Sequence, residues 1–188
     1  DFTFTTQGLP VNYTYKPFYA THHRQYSIYS RVADSSELVA EQYYITDRVL
    51  AGNSASESAH NMGTTGTIAT GVYRANRYRN TSNGGTISYD LKVSADSGIQ
   101  HYVMLTYFGY EGANQGFFNV YVDNNLIGAQ GSIEHLKQFT WPKGYFKVPK
   151  TLTEGKSTVR VKIESTSGKI ASFYGVAMVT EAYLQVYD

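Results

Sequence analysis

An alternation of apolar and polar residues appears in the segment Gly85–Val93, which reads GTISYDLKV. Every second residue from Ile87 onward is apolar, as expected for a β-strand with one buried face. The same period recurs in Val159–Glu164 and, less cleanly, in Phe118–Val122. Because a helix repeats every 3.6 residues instead of every two, these segments predict strands that bury alternate side chains.

Other segments of strand length surround this pattern. His101–Phe108 is apolar and aromatic, which predicts a central strand covered on both faces, and Phe173–Val179 is similar. The run Asp123–Asn125 after the Phe118 strand predicts a hairpin, since Asn tolerates positive φ, and Thr153–Lys156 predicts a second turn. Strand-like segments separated by Gly, Asn, Ser and Thr clusters predict an all-β fold, a β-sandwich or jelly roll.

The region before the sandwich is harder to interpret. Asp34–Gln42 is compatible with a short capped helix and equally with a linker. We place a boundary near 34–41, which divides the chain into two parts. Residues 1–40 are predicted to be leader strands or the remnant of a preceding β-domain, and residues 41–188 a single β-sandwich.

Composition narrows the range of functions. The chain has 188 residues, a net charge of +1 and no cysteine, so neither a polyanionic partner nor a thiolate metal site is expected. Its apolar runs are far shorter than the roughly 20 residues of a membrane helix. Nucleic-acid and membrane partners are therefore not predicted. The chain opens without a basic-then-apolar segment, which indicates that any export signal was removed or belonged to a longer parent.

Motifs for catalysis are missing. The sequence has no GxSxG elbow, HExxH, phosphate loop or GxGxxG. The acidic residues are scattered, so a paired acid and base of a glycosidase is not indicated. A structural calcium ion is left open, with Asp47 and Glu57 as the candidate ligands because loop carboxylates are the oxygen ligands that calcium takes. No EF-hand loop is present, and no other cofactor is expected.

The segment Tyr73–Asn80, which reads YRANRYRN, concentrates aromatic rings and arginines. Rings stack on the C–H groups of sugars, and guanidinium groups donate hydrogen bonds to hydroxyls. We therefore predict that Tyr73 and Tyr78 stack on a glycan while Arg77 and Arg79 bond its hydroxyls. An edge strand whose charges prevent association with other sheets explains the same segment equally well.

Two further clusters contribute candidates. The stretch 107–116 is an aromatic strand end that opens into a Gly-rich loop, in which Tyr110 would stack on sugar and Asn114 would bond hydroxyls. The stretch 140–145 holds the single Trp of the chain, Trp141. In this Pro- and Gly-containing context the indole is either a core plug or a ligand platform.

Several blocks carry a family resemblance. Residues 17–29, which read PFYATHHRQYSIY, resemble a P-F-Y-x-x-H-x-x-R-Y-x-x-Y pattern, with Gln25 as an extra residue. That pattern closes the β-sandwich after the catalytic barrel in the β-L-arabinofuranosidases of glycoside hydrolase family 127 and their relatives. The stretches 47–49, 56–61 and 84–93 are similar to the D-R-V, S-E-x-x-H-N and G-G-x-x-S-Y-D-L-K-V blocks of the accessory C-terminal domain in such enzymes.

The resemblance implies that this chain is the C-terminal β-sandwich region of a bacterial, secreted enzyme that degrades plant polysaccharides. The zinc-binding cysteines of the family's barrel have no counterpart here, so enzymatic activity is not carried over. The G-G-x-x-S-Y-D-L block is also similar to galactose-binding-like jelly rolls of carbohydrate-binding modules.

Three functions remain open at this point. The leading one is a non-catalytic carbohydrate-binding module for hemicellulosic or pectic glycans, including arabinose-containing ones, with a parent catalytic domain in cis. The second is a structural accessory domain that packs on a catalytic barrel without binding sugar, in which Glu57, His60 and Asn61 make interdomain or loop hydrogen bonds. The third is a complete small glycosidase or lyase.

Overall fold

The computed structural model describes residues 44–82, 84–108, 115–131, 141–166, 169–170 and 172–187. The chain divides into two compact units, Asp1–Tyr43 and Tyr44–Asp188. The predicted leader at 1–40, the helix or linker at Asp34–Gln42 and the block 17–29 lie outside the described residues.

The second unit is a β-sandwich, as the sequence predicts. Its strands are β1 (Ile45–Leu50), β2 (Gly63–Thr65), β3 (Ile68–Tyr73), β4 (Asn76–Thr81), β5 (Thr86–Lys92), β6 (His101–Thr106), β7 (Gln115–Gly116), β8 (Phe118–Val122), β9 (Asn125–Gln130), β10 (Lys143–Lys147), β11 (Thr158–Ser165), β12 (Lys169–Ile170) and β13 (Gly175–Thr180).

Two antiparallel sheets form the layers of the sandwich. One sheet has the strand order β1-β13-β6-β10, and the other has the order β2-β5-β11-β8-β9. Two smaller pairs lie beside them, the antiparallel hairpin β3–β4 and the parallel pair β7–β12. The two large sheets pack face to face, so each buries one of its faces against the other.

The core fills the space between the two sheets, and alternation decides which residues enter it. Ile87, Tyr89 and Leu91 of β5 are fully buried, whereas the residues between them are partly exposed. In β11 the buried apolar positions are Val159, Val161 and Ile163, as predicted. Burying one such side chain stabilises the fold by about 1.5–3 kcal/mol, so this pattern provides the main driving force for the sandwich.

The predicted central strand and hairpin are also confirmed. Strand β6 lies inside its sheet between β13 and β10, with Val103 and Leu105 in the main core and Met104 in a second apolar cluster on the other face. The β8–β9 hairpin turns at Asp123 and Asn124, whose φ values are 47° and 64°. Positive φ at both central residues suits the right-handed twist of a hairpin.

Two short α-helices and the 3₁₀ helix Lys150–Leu152 complete the described elements, and the sequence predicted neither α-helix. Helix α1 (Ser54–Ala59) begins after Asn53, whose side chain accepts a hydrogen bond from the Ser56 N–H at 3.0 Å. Helix α2 (Glu181–Tyr187) follows β13 directly and packs Tyr183 onto the outer face of the four-stranded sheet. In the described part of the chain, no helix has the length and apolar content to cross a membrane.

Candidate functional site

The β3–β4 hairpin carries the Tyr- and Arg-rich segment. Gly71 lies opposite Tyr78 in its register. Since successive side chains of a strand point to opposite faces, Tyr73 and Tyr78 share one face of the hairpin, whereas Arg77 and Arg79 share the other. The structure therefore separates the tyrosines from the arginines that the sequence proposed to act together.

Five aromatic side chains form a continuous group, which we name the ring cluster: Tyr73, Tyr78, Phe108, Trp141 and Tyr174. The ring centroids of Tyr73 and Phe108 are 4.9 Å apart, and those of Phe108 and Trp141 are 5.0 Å apart. Tyr174 lies 4.8 Å from Trp141 and 5.8 Å from Tyr78. These spacings are those of favourable aromatic pairs, so each ring holds its neighbour in place.

The ring cluster is partly open to solvent. Phe108 is buried and forms its base. Tyr73 and Trp141 remain 39% and 37% exposed, although apolar rings of this size are favoured inside. Trp141 thus packs against Phe108 and Tyr174 and still keeps more than a third of its surface exposed.

Main-chain hydrogen bonds tie together the segments that carry the rings. Arg79 and Phe173 exchange two backbone bonds, of 3.0 and 3.1 Å, which join β4 to the segment before β13. The Tyr174 N–H donates to the last carbonyl of β6 at 2.8 Å, and the Tyr107 N–H donates to the Pro142 carbonyl at 2.9 Å. Four stretches distant in sequence are therefore held by backbone contacts, which is the preorganisation a binding site needs.

Gly71 makes room for one ring of the cluster. A Cβ placed on Gly71 would lie 2.6 Å from Cζ and 2.7 Å from Cε1 of Tyr78. These distances are well inside van der Waals contact, so the phenol ring of Tyr78 lies directly across the glycine. The absence of a side chain at Gly71 therefore leaves the space in which the Tyr78 ring packs against Tyr174.

Arg74 joins the ring cluster from the tip of the hairpin. Its Cζ lies 5.3 Å from the ring centroid of Phe108 and 5.8 Å from that of Tyr73, within the range of cation–π contacts. Both Arg74 and Ala75 have positive φ, 46° and 63°. The turn therefore directs a guanidinium group onto the aromatic surface.

The opposite face of the hairpin is anchored to the sandwich by an ion pair. Arg79 Nε donates to Glu57 Oε1 at 2.8 Å, and Arg79 Nη2 donates to Glu57 Oε2 at 2.7 Å. The carboxylate also accepts from the Gly52 N–H at 2.8 Å and from the Tyr89 hydroxyl at 3.2 Å. Arg79 is thus engaged in a bidentate pair, and we leave it out of the ligand-binding group.

Ionisation in this network favours the charged pair. Burial opposes ionisation of Glu57, but the hydrogen bonds from Arg79 and Gly52 outweigh it and hold the pKa of the carboxyl below its usual value. Its hydrogen bond to Glu57 raises the pKa of Arg79. Burial, reinforced by the negative charge of Glu57, raises the pKa of Tyr89, which stays protonated and donates. These hydrogen bonds therefore serve to attach the hairpin to the sandwich.

Arg77 lies on the same face as Arg79 but is exposed. Its Cβ is 2.9 Å from the place that a Cβ on Gly52 would occupy, so it covers the segment after β1. It is therefore remote from the face that carries Tyr78, and it provides a charge on the hairpin that does not belong to the ring cluster.

The calcium candidates are occupied by protein donors. Asp47 Oδ1 accepts from the Arg48 N–H at 3.0 Å and lies 3.1 Å from His60 Nε2, while Oδ2 accepts from the Lys92 N–H at 2.8 Å. Both oxygens of Glu57 are engaged as described above. Among the residues that the structure describes, no group of three or more His, Asp or Glu side chains is placed to hold a metal ion.

The remaining predicted site residues, Tyr110 and Asn114, lie outside the described residues, in the stretch that directly follows Phe108 in sequence. Two members of the ring cluster, Phe108 and Tyr174, were not among the sequence candidates. Both stand at an end of a strand, Phe108 two residues after β6 and Tyr174 immediately before β13. An aromatic residue at a strand end was the available signal, but sequence alone does not show that these two ends are neighbours.

A family model matches most of the chain, and solved structures show its fold. A family model described as "Family of unknown function (DUF6805)" matches residues 42–179. A search of curated proteins found no match.

A native structure of a family 35 carbohydrate binding module from Clostridium thermocellum is similar, with a TM-score of 0.50 and 11% identity over 70% of this chain and 96% of that one. A second structure of a family 35 module from Clostridium thermocellum gives 0.51 and 12% over 70% and 97%. The chain therefore has the jelly-roll β-sandwich fold of these modules.

Proposed function

The chain belongs to the DUF6805 family of unknown function, and we propose that its β-sandwich is a non-catalytic carbohydrate-binding module. The observation that carries the proposal is the ring cluster, in which Tyr73 and Trp141 stay exposed although they are held by packing and backbone bonds. The shared fold with two family 35 carbohydrate binding modules supports it.

Sugar recognition has physical requirements that the ring cluster meets. Pyranose and furanose rings present C–H groups that pack on aromatic faces, while their hydroxyls need donors and acceptors nearby. Tyr73, Tyr78 and Trp141 supply faces, and Arg74 supplies N–H donors at the rim. We keep Tyr110 and Asn114 in the proposed site because they follow Phe108 closely in sequence. Affinity is expected to be modest, since hydroxyls exchange bonds to water for bonds to protein.

The geometry of the rings favours a glycan chain over a flat crystalline surface. Neighbouring rings are tilted by 51° for Tyr73 and Phe108, 56° for Phe108 and Trp141, and 83° for Trp141 and Tyr174. A flat polysaccharide surface would need exposed rings in one plane. Tilted rings instead form a contoured surface that suits one soluble chain or its end.

The finer features of the proposal come from the sequence resemblance. We propose that the ligand is a hemicellulosic or pectic glycan, arabinose-containing polymers included. We also propose that the chain is part of a longer bacterial, secreted enzyme whose catalytic domain it brings to plant polysaccharide. A module of this kind needs no catalytic carboxylates, and the described Glu57 beside the hairpin is committed to Arg79.

The test is affinity gel electrophoresis of the chain in soluble arabinan, arabinoxylan, xyloglucan, pectin and β-glucan. We expect retardation by at least one polymer class, and we expect Trp141→Ala and Tyr78→Ala each to weaken the affinity about 2- to 12-fold while leaving the melting temperature within a few degrees. Tyr121→Ala, in the five-stranded sheet, serves as a matched control. Equal retardation of Trp141→Ala and the unchanged chain would contradict the proposal. A loss of retardation on addition of a calcium chelator would indicate that the chain holds calcium after all.

A structural accessory domain that packs on a catalytic domain without binding sugar is the second candidate. Its apolar contacts would be surface side chains such as Leu50 and Val72, which are 51% and 59% exposed. Absence of retardation across the polymer panel would select this candidate. Detection of a released product with the isolated chain would select a glycosidase or lyase instead.

A further inference from the structure

The segment before β13 extends the surface of the β3–β4 hairpin. Arg79 and Phe173 form an antiparallel bridge in which each donates a backbone hydrogen bond to the other. Residues on either side of such a bridge lie opposite one another across the two strands, so Asn80 faces Ser172. The side chains agree with this pairing, because Asn80 Nδ2 donates a hydrogen bond to Ser172 Oγ at 3.3 Å. An amide and a hydroxyl therefore stand side by side at this level of the hairpin.

Two rings of the cluster lie directly beside this polar pair. Tyr78 comes two residues before Asn80 on β4, so both side chains lie on the same face of the strand. The ring centroid of Tyr78 lies 5.8 Å from that of Tyr174, on the other side of the bridge. A strand advances by about 3.3 Å per residue, which separates the polar pair from the rings by about 6.6 Å along the strand. One sugar unit that packs on Tyr78 would thus carry its hydroxyls to Asn80.

Space for a ligand lies on the other side of Asn80, towards β3. Its register partner there is Ala69, an exposed residue whose side chain is a single methyl group. The side chains of directly opposed residues are close neighbours in a sheet, with Cβ atoms about 4.5–5.5 Å apart. A small partner therefore leaves the half-buried amide accessible from this side, whereas a large one would cover it.

The amide of Asn80 has hydrogen-bonding capacity left for a ligand. A side-chain amide carries two N–H donors and an oxygen with two lone pairs. Among the residues that the structure describes, the bond to Ser172 is the one hydrogen bond that this side chain forms. That bond fixes the amide plane, so the second N–H and the oxygen are held ready for a partner. Hydroxyl groups suit such a neutral pair because they both donate and accept.

We propose that Asn80 binds a hydroxyl group of the sugar unit that packs on Tyr78, which makes it a specificity-determining residue of the site. This inference rests on the function proposed above. The sequence assigned the hydroxyl contacts of this segment to Arg77 and Arg79, but both lie on the opposite face of the hairpin. Ser172 holds the amide in place and is a positioning residue.

Side-chain amide resonances report directly on this contact. The isotope-labelled chain is titrated with oligosaccharide digests of arabinan, arabinoxylan, xyloglucan, pectin and β-glucan, and the Nδ2–H resonances of Asn80 are followed by NMR. We expect them to shift along the saturation curve that calorimetry gives for the same digest. Asn119 is the matched control, because its Nδ2 also donates to a hydroxyl, that of Tyr121 at 3.2 Å, but on the five-stranded sheet. Its resonances should stay in place.

Variants separate a ligand contact from a purely structural role. Asn80→Ala removes the amide and should weaken affinity about five-fold, the effect of one net hydrogen bond. Ser172→Ala removes the bond between the two residues but keeps the amide, so it should weaken affinity by about two-fold or less. Asn119→Ala should leave affinity unchanged. Melting temperatures of the three variants show whether the fold is retained.

The outcomes separate the two proposals. Binding of a digest with the Asn80 resonances as constant as those of Asn119 would overturn the inference and leave carbohydrate binding in place. Equal losses of affinity in Asn80→Ala and Ser172→Ala would also overturn it, since the bond between these residues would then explain the whole effect. Should Asn80→Ala fail to fold, the resonances of the unchanged chain decide. Absence of binding to every digest would remove the proposed function together with the inference.

Discussion

Replacing Gly71 by Ala should move the Tyr78 ring out of the ring cluster without unfolding the hairpin. The added Cβ would stand 2.6 Å from Tyr78 Cζ and 2.7 Å from Cε1. Ordinary contact between carbon atoms needs about 3.5–4.0 Å, so the phenol must retreat by about 1 Å. Since Tyr78 is only partly buried, its side chain can swing outward, and it would then lose its contact with Tyr174.

The cost to stability should be small. Gly71 does not adopt positive φ, so alanine is compatible with its backbone. Alanine also restricts the unfolded chain, which stabilises a protein by about 0.4–1 kcal/mol at compatible sites. This gain offsets the loss of one tilted ring contact, worth about 0.5–1.5 kcal/mol. We expect a free energy of unfolding within about 1 kcal/mol of the unchanged chain.

The cost to binding should be larger. If Tyr78 stacks on the glycan, misplacing it removes a contact of about 0.5–1.5 kcal/mol, which corresponds to an affinity about 2- to 12-fold weaker. Isothermal titration against the polymer that retards the chain most measures this change, and differential scanning calorimetry measures stability on the same samples.

A double-mutant cycle decides whether the effect passes through the ring. In the Tyr78→Ala background the ring that the methyl group of Gly71→Ala would displace is absent, so Gly71→Ala should cause no further loss of affinity. An undiminished loss in that background, or wild-type affinity in Gly71→Ala alone, would refute the assignment of Tyr78 as a stacking residue positioned by Gly71.

Two further predictions concern stability. Glu57→Gln should lower the free energy of unfolding by about 2–3 kcal/mol in denaturant titrations, because Arg79 loses its charged partner. The pKa of Glu57 is lowered in the fold. The stability that its ionisation contributes is therefore present above the unfolded value of 4.5 and is lost as pH falls through the folded pKa. Burial lowers the pKa of His101, whose Nε2 accepts a hydrogen bond from the Ser94 N–H. Stability should therefore decline as pH falls below the unfolded value of 6.5 and level off below the folded pKa. In His101→Gln the melting temperature should depend less on pH in this range, and an unchanged dependence would contradict the assignment.

Local pattern was enough to predict the sandwich. Alternation in β5 and β11 follows directly from the period of a strand, and the Asp123–Asn125 turn follows from the φ that its residues tolerate. Helix α2 was missed because Glu181–Tyr187 is short and forms against the sheet that precedes it, so tertiary packing outweighs weak local preference.

The site was predictable only in part. Tyr73, Tyr78 and Trp141 were selected for their chemistry, and the structure brings all three into one cluster. The carboxylate partner of Arg79 is Glu57, 22 residues earlier, and the ring partner of Tyr78 is Tyr174. Pairs at such separation depend on which strands are neighbours, which a single sequence does not specify.

The mixed run of tyrosines and arginines in the hairpin acquires a physical meaning once its two faces are separated. A strand sends successive side chains to opposite sides, so adjacent residues such as Tyr78 and Arg79 serve different purposes. Arg79 attaches the hairpin to the sandwich through Glu57, and Tyr78 faces the rings. An asymmetry should follow: Glu57→Gln should weaken both stability and glycan affinity because it loosens the support of the rings, whereas Tyr78→Ala should weaken affinity while its melting temperature stays within a few degrees. Equal melting temperatures and equal affinities in Glu57→Gln and the unchanged chain would show that the hairpin face with Arg79 does not support the face with Tyr78.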